Sequence, residues 1–157
     1  TGTGNLGSWP GANGQSGIAA GDEICQNLAA DVDLQNAQNF KAWLSDANTD
    51  ASATFTSNGP WVRLDGVVLA ENRQDLTDGS LNTTLNLTET GDYIGFDYAW
   101  TGTNHIGGKR PDTCNNWVDT SQSFNGGIGR LFDRSGWTAA GYLPCDSNYV
   151  HLYCLED

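Results

Sequence analysis

The 157-residue sequence has no methionine, only two histidines, and seven Lys plus Arg against nineteen Asp plus Glu. Without a methionine, residue 1 reads as a processed or excised end. A formal charge of −12 repels phosphate backbones and anionic membranes, so nucleic acid is not an expected partner. No run of about eighteen apolar residues is present and the first residues lack a basic-then-apolar signal pattern, so no direct membrane insertion is expected. G-x-S-x-G, H-E-x-x-H and the phosphate loop are all missing, and neither His105 nor His151 has a motif partner, so no catalytic residue is predicted. C-x-x-C is missing too, which disfavours zinc.

What is there is an even set of cysteines, Cys25, Cys114, Cys145 and Cys154, widely spaced in an acidic chain rich in Gly, Asn and Thr. Such a set reads as two disulfides and therefore an oxidising compartment, secreted or at the cell surface; the spacing leaves all three pairings open. The length suits one domain with a sizeable core.

Residues 1–21 contain seven glycines and no charge, the composition of a linker or arm outside the domain at 22–157. Gly2, Gly4 and Gly7 have dinucleotide-fingerprint spacing, but no strand precedes them, so the match is chance. From Asp22 an apolar stripe through Ile24, Leu28 and Val32, with Cys25 and Ala29 beside it, predicts a helix with Asp22 and Glu23 in its first turn. "FKAWLSD", residues 40–46, alternates as a half-buried strand. In "WVRLDGVVLA", residues 61–70, Asp65-Gly66 between apolar runs predicts a hairpin. Asn82 and Asn86 lie in N-x-T sequons. "YAWTGT", residues 98–103, and "YVHLYCL", residues 149–155, read as strands; in the latter Val150, Leu152 and Cys154 share one face. Residues 104–148 read as a long loop region that must be stapled or functional.

A helix bearing Cys25, then "FKAWLSD", "WTGT", "TCNNW", a further cysteine and "LYCLE", in that order, resembles the endostatin-like branch of the C-type-lectin-like fold. The resemblance is closest to bacterial endostatin-like surface domains, leptospiral ones included, and covers most of residues 22–156. It implies an α+β fold with a mixed antiparallel sheet, one or two helices, a long loop region and two disulfides, Cys25 with Cys154 and Cys114 with Cys145. It also implies that Trp43, Trp100 and Trp117 are core residues, leaving Trp9, Trp61 and Trp137 freer to be exposed.

Several family functions lose their residues in this chain. At the calcium corner of sugar-binding lectins, Arg110-Pro111-Asp112 puts a fixed cation where an oxygen ligand belongs, and Trp137 is followed by Thr138 and Ala139. "DANTD", residues 46–50, opens like a calcium loop, but Ala51 and Ser57 stand where glycine and glutamate are needed. The arginine-rich heparin surface and N-terminal histidines of animal endostatins are missing. No cofactor or metal is implied, with calcium left open.

A recognition surface remains, formed by Asn104, His105, Lys109, Arg110, Asp112, Asn115, Asn116, Asp119 and Trp137. The expected function is a non-catalytic, adhesin-type ligand-recognition domain of a secreted or cell-surface bacterial protein, binding a glycan or protein partner on another cell surface. The alternative is a structural cap or assembly domain of a larger multidomain or oligomeric surface protein.

Overall fold

In the computed structural model, which describes residues 1–157, the predicted stripe lies on helix α1, Gly17–Asp31, which buries Ala20, Gly21, Ile24, Cys25 and Ala29. The helix starts before Asp22, whose Oδ1 instead accepts the Ala42 N–H at 2.9 Å. Burial raises the Asp22 carboxyl above its ordinary value, against the lowering effects of that bond and of nearby Lys41. At the far end Asp33 takes φ +55 and the Leu34 N–H reaches back to the Ala29 carbonyl at 2.9 Å. This closes the helix without the usual glycine. Burying Ile24 contributes roughly 1.5–3 kcal/mol.

The strands are short: β1 Phe40–Ala42, β2 Trp61–Val62, β3 Val68–Ala70, β4 Tyr98–Trp100, β5 Asn125–Arg130, β6 Gly141–Pro144, β7 His151–Leu152 and β8 Cys154–Glu156. Two single-turn helices, α2 Ala51–Thr54 and α3 Arg73–Leu76, lie between β1 and β4. One sheet runs β6-β5-β4-β7, antiparallel except for the parallel β4–β7 pair; β1 pairs antiparallel with β8, and β2 with β3. The predicted hairpin forms, with Gly66 at φ +83 and its N–H on the Arg63 carbonyl at 2.9 Å.

The strands around β1, β4 and β8 carry a core on each face. Ala42, Leu44, Trp100 and Val150 belong to a cluster with α1, Leu6, Cys114 and Trp117. Trp43, Ala99, Tyr153 and Leu155 belong to a second cluster with Phe55, Trp61, Leu76 and Trp137. Period-two alternation along 40–44 and 150–155 therefore sorts side chains between two cores, and the half-buried strand expected at 40–46 is buried on both faces.

Residues 1–21 are not an arm. The Gly2 N–H donates to the Val150 carbonyl at 3.0 Å and the Gly4 N–H to the Cys145 carbonyl at 2.8 Å. The Trp100 indole donates to the Gly2 carbonyl at 3.1 Å, and Leu6, Trp9 and Ala12 are buried. Gly4 lies so close to Cys114 Sγ that a Cβ there would collide with it. Here glycine serves close packing, where composition suggested flexibility.

The disulfides are Cys25–Cys154 and Cys114–Cys145, the pairing the resemblance implies. The chain is α+β, with few helices, small antiparallel and mixed sheets and two bridges. The bridges fit an oxidising compartment. No helix is long and apolar enough to cross a membrane.

Candidate functional site

Of the residues expected to bind a ligand, those from 104 to 119 occupy one continuous loop layer, built by backbone contacts that several of their own side chains supply. Asn104 Oδ1 accepts the Ile106 N–H at 3.0 Å and the Gly108 N–H at 2.9 Å, so Asn104 shapes its own turn. A Thr103–Lys109 bridge closes that turn, leaving His105 exposed and Ile106 67% exposed at its tip. The Lys109 N–H is held by Asp50 Oδ1 at 2.8 Å, while its side chain is exposed and makes no ion pair. Arg110 is partly occupied by Asp112, 3.5 Å away.

The next four residues, Cys114, Asn115, Asn116 and Trp117, have φ of +47, +54, +60 and +64. A consecutive left-handed run of non-glycine residues costs roughly 1–2 kcal/mol per residue, less at asparagine. Its partners surround it. Thr113 Oγ1 accepts the Asn116 N–H at 3.4 Å, Asn116 Oδ1 accepts the Ala47 N–H at 3.0 Å, and the Trp117 indole donates to the Ser45 carbonyl at 2.9 Å. Asn116 is thus structural and Asn115 is exposed. Asp119 Oδ1 accepts the Ser121 N–H at 2.6 Å, and hydrogen bonds from the Ser121 hydroxyl and N–H hold its carboxyl below the ordinary range.

Trp137 does not join this surface. It is 0% exposed, with its ring centroid 5.1 Å from Trp43 and 5.8 Å from Tyr153. Trp9 and Trp61, also expected to be freer, are buried too. Their indoles donate to the Thr3 and Glu156 carbonyls.

The free groups of the layer are therefore His105, Lys109 and Asn115, with Arg110 and Asp112 half-exposed. Ile106, Val118 and Phe124, in the same stretch of chain, are exposed too. None of these three apolar residues is among those expected from the sequence, although Ile106 next to His105 in a glycine-rich turn is a visible signal.

Metal-ligating side chains do not gather: no group of three or more His, Cys, Asp or Glu comes together. The calcium-like opening at 46–50 is spent on its own backbone, Asp46 Oδ1 accepting the Asn48 and Thr49 N–H groups at 2.8 Å. With Asp50 holding the Lys109 N–H, these residues do not fit a calcium site. The sole His–carboxylate pair, His151 Nε2 to Asp97 Oδ2 at 3.0 Å, lies where β7 meets β4. Of the sequons, Asn82 is exposed, whereas Asn86 is half-buried and bonded to Arg63, Thr84 and Ile94.

Two cavities open at the surface. One, of about 510 Å³, is a polar depression along 68–82; the other, of about 840 Å³, is predominantly apolar and lined by both cores. Neither is lined by any residue from 95 to 130. No protein-family model matches the chain, and no curated protein matches it.

Proposed function

We propose that this chain is a non-catalytic, adhesin-type recognition domain of a secreted or cell-surface bacterial protein, contacting a glycan or protein partner through the 104–124 loop layer. The architecture is that of the endostatin-like, C-type-lectin-like fold, a reading supported by the order of helix, strands and long loops and by the two nested bridges. The observation that carries the function is the left-handed run at 114–117. Strain of this kind persists where surrounding structure over-determines it, and here it fixes the backbone at exposed Asn115.

His105, Ile106, Lys109 and Asn115 are exposed and line neither cavity, which suits contact with another surface better than enclosure of a small substrate. The test is a glycan and protein array probed with the chain and with His105→Ala, Lys109→Ala and Asn115→Ala. A hit weakened about tenfold by at least one substitution, with melting unchanged, fits loss of a contact worth about 1.4 kcal/mol. Hits indifferent to all three refute the assignment of the layer.

The alternative of an assembly domain has one observation in its favour, Phe96, 89% exposed and packed edge-on against Phe132 at 4.7 Å. It predicts oligomers in solution that Phe96→Ser dissolves.

A further inference from the structure

The larger cavity, about 840 Å³, is a cleft lined from the helix-side core by Leu28, Phe40 and Leu152, from the second core by Trp61 and Leu69, and by exposed Val62 and Leu64 and by Leu87 outside both cores. Nineteen of its thirty lining residues are apolar. Val62 and Leu64 are 48% and 49% exposed, so much of its apolar surface faces water. Volumes of about 300–1,000 Å³ are typical of ligand sites.

Charge narrows the occupant. The one Lys or Arg lining the cleft, Arg63, is already saturated: it bonds Asp65 through Nε at 3.1 Å and Nη2 at 2.5 Å and the Thr84 carbonyl through Nη1 at 2.8 Å. Lys41, outside the lining, neutralises Asp157 at 2.6 Å. Glu89 has no hydrogen-bond or ion-pair partner, and the Glu156 carboxylate accepts only from neutral Asn36. The cleft thus offers apolar surface beside two carboxylates, Glu89 and Glu156, that no cation pairs with, against one other cation of its lining, the Thr1 α-amino group, on a chain of net −12. A second copy would bring the same sign of charge, which opposes pairing.

We propose that this cleft is a docking groove for an apolar segment of a partner polypeptide flanked by lysine or arginine. Its apolar side chains take the place of water against Val62, Leu64 and Leu87, and its cations sit near Glu89 and Glu156. The groove is separate from the loop layer, so either assignment stands or falls alone.

The test uses two synthetic peptides, a Leu- and Val-rich run between paired lysines and its glutamate-ended twin, titrated into the full chain by fluorescence anisotropy. The lysine-ended peptide is expected to bind, more weakly as salt rises, and the twin at least tenfold more weakly. Val62→Asp and Leu64→Glu, both on half-exposed positions, are each expected to weaken binding about tenfold or more with melting retained. Glu89→Lys should narrow the gap between the peptides, and Tyr142→Glu, on exposed β6 outside the lining, should bind as the parent does. Equal binding of both peptides, parental binding by Val62→Asp and Leu64→Glu, or no binding at millimolar peptide would overturn the proposal. Sedimentation revealing self-association that Val62→Asp abolishes would also overturn it, in favour of a second copy.

Discussion

Replacing Cys114 and Cys145 together by alanine tests how the loop layer is held. The bridge spans 31 residues, and the loop-closure entropy it removes from the unfolded chain corresponds to roughly 3.7 kcal/mol at 25 °C. The outer bridge spans 129 residues, but the inner one short-cuts its path to about 98, so losing Cys25–Cys154 alone corresponds to roughly 4.7 kcal/mol. The two losses are thus close in size but differ in place. Cys114 opens the left-handed run, so the inner variant also frees residues that pay roughly 1–2 kcal/mol each to stay left-handed. Release of that strain offsets part of the entropic loss, so urea unfolding followed by tryptophan fluorescence should report a loss of no more than about 3.7 kcal/mol for the inner variant, smaller than for the outer one, and its melting point should fall by at most about 15 °C. Amide exchange should rise at 114–119 in the inner variant and not in the outer one. A loss larger for the inner variant than for the outer one, or unchanged protection of 114–119, refutes the account of a strained turn held by the bridge.

Leu6→Ala should cost about 2–5 kcal/mol by urea unfolding, because Leu6 is 0% exposed; a cost near zero would restore residues 1–21 to the status of an arm. Asp157 sets an acid limb. Burial pushes its carboxyl up, but bonds from Lys41, Ser57 and Thr56 outweigh that and hold it at about 2, against an ordinary 3.8. The folded state therefore binds fewer protons than the unfolded state in this window. The stabilisation is fully present above pH 3.8 and is lost as pH falls toward 2. Asp157→Asn should flatten the fall in unfolding free energy across that window, and an identical slope would refute the assignment.

The helix, the hairpin and the strands flanking both cores were legible because their apolar spacing is regular. Alternation at 40–44 and 150–155 gave the faces, but not that both faces are covered, since period two is the same whether the far side meets water or Trp137. Strand β5 was invisible: "NGGIGR" has almost no β-forming side chain, because a Cβ at Gly126 would meet the Trp100 ring at 2.6 Å. Trp137 was misplaced for a related reason, its neighbours Thr138 and Ala139 carrying no periodic signal. Asn104, Asn116 and Asp119 are polar and on loops, as expected, but their side chains bond backbone, and no local pattern separates that use from a binding one. The apolar cleft draws on residues from Trp9 to Leu155, a separation that no window of sequence spans.

Glycine and tryptophan account for one another around the inner bridge. Gly126 gives its side-chain space to the Trp100 ring and Cys114 Sγ, while Gly4 lets the N-terminal segment lie against that same sulfur and bond the Cys145 carbonyl. Cys114 then starts the turn that carries Trp117 inward, its indole bonded to Ser45, beside β1. The chain's first residues, its glycine-rich strand and its strained turn thus close on one disulfide. A side chain added at Gly4 would meet the sulfur first, and one at Gly126 the Trp100 ring and then the sulfur, so either would disturb the bridge and the turn that Cys114 opens. The glycine content that suggests looseness in the sequence is therefore what lets the N-terminal segment, β5 and the turn at 114–117 pack closely around one disulfide.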